Sequence, residues 1–62
     1  MKDKKGIEVE VGDRVRFGIF HDKNLDSVGK VIDIVDHAAY IWCVGDTNSL
    51  TPYKRAVVEI IQ

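Results

Sequence analysis

Two segments near the start of the chain alternate between apolar and polar positions. In the first, Ile7, Val9 and Val11 oppose Glu8 and Glu10. In the second, over Arg14–Phe20, Val15, Phe17 and Ile19 oppose Arg14, Arg16 and Gly18. A period of two is that of a strand with one buried and one wet face. Gly12-Asp13 between them reads as a turn or bulge, and His21–Ser27 ("HDKNLDS") as a loop rich in Asp, Asn and Ser. Gly29 then opens a strand running through Asp36, "DHAA" makes a tight connection, and Tyr40–Val44 forms the next strand. A turn cluster at Gly45–Ser49 precedes a short strand at Leu50–Pro52, which Pro52 demotes to a sheet edge. A helical turn over Tyr53–Ala56 and a last strand over Val57–Ile61 complete the prediction. No segment holds a helical apolar period beyond one turn. The pattern predicts an all-β, small, strongly bent barrel over residues 7–62, with 1–6 a flexible N-terminal segment.

The central hairpin departs from clean alternation, because both of its faces are apolar. Val31 and Val35 oppose Ile32 and Ile34, while Ile41 and Cys43 oppose Tyr40, Trp42 and Val44; Val57 and Ile61 likewise oppose Val58 and Ile60. A bulge or sharp bend can switch faces within a strand and absorb Ile34 and one of the C-terminal pair. Ile32, Tyr40 and Trp42 remain. With Tyr53 they form the expected association surface, to be covered by a second copy or a protein partner.

Size makes that expectation weightier. A chain of 62 residues buries only about 60% of its unfolded surface, so its core is marginal and gains from association. Cys43 is the single cysteine, which excludes an internal disulfide and any CxxC metal set. The apolar runs are too short to span a bilayer as helices, and Met-Lys-Asp-Lys-Lys is followed by no signal-peptide core. The expected location is cytoplasmic. Net charge is −1, so no global basic field draws the chain to nucleic acid, and any such contact must be local.

The order "VGDRVRF", polar loop, "GKVIDI", turn, "YIWCV", polar turn, "PYKRAVVEI" resembles a five-stranded Src-homology-3-like small barrel. Within it, Ser27–Gly45 resembles the KOW motif of ribosomal and transcription-elongation proteins. Gly29 stands at the motif's glycine, Lys30 and Val31 follow, and Ile34 closes the first strand. A second resemblance, on Gly12–Arg16 and on Tyr53, Ala56 and Glu59, is to the type II dihydrofolate reductases. These are homotetramers around a shared pore lined by a Val-Gln-Ile-Tyr run. The corresponding residues here are Leu50-Thr51-Pro52-Tyr53, and Phe17 replaces the pore lysine. The groups that would hold nicotinamide and folate are therefore absent from those positions, and no cofactor is expected.

His21, Asp22, Asp36, His37 and Cys43 are the candidates for acid–base or metal chemistry. The two His-Asp pairs sit in separate loops and Cys43 sits mid-strand. Ordinary turn polarity and a small buried thiol account for them, so neither a catalytic nor a metal site is expected. Arg14, Arg16, Lys30, Lys54 and Arg55 are the residues expected to contact nucleic acid, with Trp42, Tyr40 or Tyr53 as stacking surfaces. The competing reading makes them solvated charges balanced by Glu8, Glu10, Asp13 and Asp33. The expected function is a non-catalytic interaction module that contacts nucleic acid or a nucleic-acid-associated protein and self-associates. The alternatives are a reductase-like tetramer and a protein-binding accessory factor of a phage or mobile element.

Overall fold

The computed structural model describes residues 1–19, 24–43 and 51–61. Their architecture is all-β. Five strands, β1 (Arg14–Phe17), β2 (Ser27–Val35), β3 (Ala38–Cys43), β4 (Tyr53–Arg55) and β5 (Glu59–Ile60), form one antiparallel sheet in the order β4-β3-β2-β1-β5. No ladder joins the edge strands β4 and β5 among the described residues, so the sheet is open. It is nevertheless strongly coiled. Three strand spacings would separate β1 from β4 by about 14 Å in a flat sheet, yet the rings of Phe17 and Tyr53 lie 5.5 Å apart. The sheet wraps around Phe17, Val15, Val31, Ile41, Ala39, Val9 and Val58, all buried.

The hairpin between β2 and β3 turns on Asp36 and His37, at φ 52° and 64°. Positive φ at both central residues is the two-residue turn whose twist matches the flanking strands. Across this hairpin Val31 pairs with Ile41, but Asp33 pairs with Tyr40, leaving Ile32 as the extra residue of a bulge. The bulge shifts the inward set by one. Val31 and Ile34, rather than Val31 and Val35, face the core, and Val35 is exposed. Half of the apparent two-sidedness of β2 is thus a change of phase.

Four expected elements differ. Ile7–Val11 is not a strand: only Val9 is buried, and the segment makes a single bridge, Lys2 with Glu8. Its continuation folds back because Gly12, at φ 99°, and Asp13 close a turn on Glu10, whose N–H donates to Asp13 Oδ2 at 2.8 Å. Tyr53–Ala56 is not helical. Its first three residues spend their backbone groups in the ladder with Ala39–Ile41. The last strand contracts to Glu59–Ile60. Thr51 and Pro52 lie outside any strand. Leu50, Val44, the Gly45–Ser49 turn, His21 and Asp22 lie outside the described residues.

Residues 1–6, expected to be loose, are anchored through Asp3. Its Oδ1 accepts from the N–H of Lys5 (2.9 Å) and Ile7 (2.8 Å), and its Oδ2 from Ile60 (3.0 Å). Lys4 N–H also donates to Val58 O at 2.8 Å, so this loop covers the outer edge of β5. The Ile60 N–H holds the Asp3 carboxyl below its ordinary range; burial opposes this, and the N–H groups of Ile7 and Lys5 and the Lys5 charge reinforce it. A depressed folded-state pKa stabilises above the ordinary value of 3.8 and loses its effect as pH falls through the folded value. The urea midpoint of the protein is therefore expected to fall with acidification below about pH 4, and more steeply than that of Asp3→Asn. Identical acid limbs in the two proteins would contradict the latch.

Candidate nucleic-acid interface

Strand register decides which of the expected contact residues meet. Arg14 on β1 lies directly across from Lys30 on β2, and Lys30 directly across from Trp42 on β3. Residues paired in this way project to the same side of a sheet. Their neighbours Val15, Val31 and Ile41 are fully buried, so the row Arg14–Lys30–Trp42 lies on the outer face. Arg16, two residues along β1, shares it, as do Tyr40 and Lys54, which pair across β3 and β4. Lys54 Nζ stands 5.8 Å from the Tyr40 ring centroid, within cation–π range.

Two of the predicted residues lie on the opposite face. Arg55 and Tyr53 pair with the buried Ala39 and Ile41. Tyr53 packs on Phe17, while the Arg55 guanidinium covers the Tyr53 ring at 5.4 Å. Arg55 Nε donates to Gly18 O at 2.7 Å, Nη2 donates to Ile19 O, and Nη1 donates to Lys54 O at 2.8 Å. This side chain ties edge strand β4 to the segment leaving β1, across the mouth of the coiled sheet. Each of its three nitrogens donates to a main-chain carbonyl. Of the expected association residues, Ile32 at the bulge and Trp42 are each more than one-third exposed, and Tyr40 is half-buried.

Charge on the outer face is uneven. Among the described residues the ion pairs are Lys5 with Glu59 at 3.1 Å and the Met1 ammonium with Glu8 at 3.1 Å. Neither involves Arg14, Arg16, Lys30 or Lys54. Glu59 does lie across from Arg16, and the two line a shallow depression of about 360 Å³ with Lys5, Ile60 and Ile61. Asp33 lies across from Tyr40 and accepts the Ile34 N–H at 2.9 Å. Asp13, which the competing reading set against the cations, caps the turn before β1. Like charges directly opposite across a ladder destabilise it. Arg14 and Lys30 are such a pair, and among the described residues neither forms an ion pair.

The remaining chemical candidates are dispersed. Asp36 and His37 form the hairpin turn, and Cys43 ends β3 half-buried on the inward side. Among the described residues no three His, Cys, Asp or Glu side chains gather closely enough to hold a metal ion, and no helix is long and apolar enough to cross a membrane. No protein-family model, curated protein or solved structure matched the chain.

Proposed function

We propose that this chain is a non-catalytic, Src-homology-3-like small-barrel module whose outer sheet face contacts nucleic acid. The observation that carries the reading is the row Arg14–Lys30–Trp42: two cations directly opposite each other, neither in an ion pair among the described residues, aligned with an exposed indole. A ladder gains nothing from Arg14 facing Lys30, whereas an arriving phosphate relieves their repulsion and releases counterions. Arg16 and Lys54 extend the field along both sides. The coiling that brings Tyr53 onto Phe17 supports the barrel.

The same face suits a second copy less well. A two-fold contact sets each patch against itself, bringing these cations toward their own duplicates. The tyrosine that the reductase resemblance would place in a shared pore packs instead against Phe17 in this chain's own core, which favours a binding module over that enzyme. Fluorescence anisotropy of a labelled oligonucleotide across a salt series tests the reading. Neutralising three or four phosphates gives a slope of log K against log salt of about −2 to −4. Lys30→Glu is expected to weaken low-salt binding roughly tenfold, the loss of one phosphate contact with a repulsion added. Absence of binding at low salt, or affinity indifferent to salt, refutes it.

A further inference from the structure

Resting on that reading, we infer that the ligand is single-stranded and that Trp42 stacks on one of its bases. The argument starts from what each aromatic ring is already doing. Phe17 is buried, and Tyr53 is packed between Phe17 and the Arg55 guanidinium. Tyr40 carries the Lys54 ammonium at its ring. Among the described residues, Trp42 is the aromatic side chain with neither a ring partner nor a cation over it, and it is 37% exposed. It projects from the middle of a sheet face, directly beside Lys30 and one strand further from Arg14.

An open indole next to cations that form no ion pair among the described residues fits a strand whose bases are available and whose phosphates are close by. Stacking is sequence-tolerant because every base has a π-face. A duplex keeps those faces inside its own stack, and reading its major groove requires an inserted helix or a projecting two-stranded ribbon. Among the described residues the outer face offers neither. Its cations and its ring lie on one broad surface formed by β1, β2 and β3. A single strand crossing that surface sets phosphates against Arg14, Arg16 and Lys30 while one base lies on Trp42.

Trp42 is the chain's single tryptophan, so intrinsic fluorescence reports directly on the proposed contact. The experiment titrates the full chain, at low salt, with a dT oligonucleotide and with a DNA hairpin duplex of similar charge. Absorption by the oligonucleotide is corrected with free tryptophan. The dT strand is expected to quench Trp42 and to bind at least tenfold more tightly than the duplex. Trp42→Ala is expected to lose about 5- to 150-fold in dT affinity, the range of one base stack, and Trp42→Phe to recover much of it. Circular dichroism of both variants verifies that the sheet is retained. Duplex binding equal to or tighter than dT binding, with Trp42 fluorescence unchanged, overturns the single-strand inference and leaves the nucleic-acid reading standing. No binding to either probe overturns both.

Discussion

Gly29→Ala is expected to remove a large share of the fold's stability. A Cβ at this position meets the Ile41 Cγ2 atom, the Trp42 carbonyl oxygen at 2.5 Å and Phe17 Cε1 at 2.9 Å. Two of these are side chains of the packed core, and the third is backbone of the facing strand. None has free space to move into, because Ile41 and Phe17 are fully buried and Gly29 is itself paired with Cys43. Overpacking a core commonly costs about 1–3 kcal/mol, and more where backbone must shift. A domain of this length has only about 3–9 kcal/mol of total stability. Urea titration followed by far-ultraviolet circular dichroism should find the unfolding midpoint of Gly29→Ala sharply lowered. A midpoint equal to that of the unsubstituted chain would mean that β2 does not approach Phe17 and Ile41 as described. The glycine that carries the KOW resemblance thus has a packing reason of its own, independent of any partner.

The second large effect belongs to Arg55. Its planar fork reaches the carbonyls of Gly18 and Ile19 together, and its own chain's Lys54 carbonyl. A lysine ammonium at this site has no comparable fixed fork. Hydrogen bonds from a charged donor contribute about 1.5–3 kcal/mol, and the carbonyls of buried Gly18 and half-buried Ile19, left without donors, add to the loss. Arg55→Lys is therefore expected to cost about 2 kcal/mol, a fall in Tm of roughly 8–16 °C for a domain of this size. Measured well below that Tm, its nucleic-acid affinity should stay within about twofold of the parent, since the side chain does not reach the outer face. Unchanged Tm with a marked loss of affinity would place Arg55 in the contact surface, as its sequence context alone suggested.

These two residues show how much the sequence carried. Clean alternation over Arg14–Phe17 marked β1 and its inner face, because every second residue there is charged. The hairpin was legible in outline, but "DHAA" read as the connection contracts to the Asp36-His37 turn, and Ala38 and Ala39 already belong to β3. The phase within β2 was not legible. Val31, Ile32, Ile34 and Val35 are all apolar, so nothing in the pattern shows that Ile32 is the residue left out of the ladder. Strand β4 escaped because three residues are too few to display a period, and its pairing with Ala39–Ile41 is a tertiary fact. The Asp3 latch joins positions 57 apart in sequence, beyond the reach of any local rule. Charge alone grouped Arg55 with Arg14, Arg16, Lys30 and Lys54; only register separates it from them.

The outer face as the nucleic-acid surface is the claim on which the functional account rests. Amide chemical-shift mapping during titration of the isotope-labelled chain with an unlabelled dT oligonucleotide locates the contact residue by residue. The account predicts perturbations concentrated at Arg14, Arg16, Lys30, Tyr40, Trp42 and Lys54, with the Trp42 indole N–H among the largest. Salt should reverse them together. Perturbations concentrated instead on the Asp3 loop and β5, or their absence at saturating oligonucleotide and low salt, would contradict it.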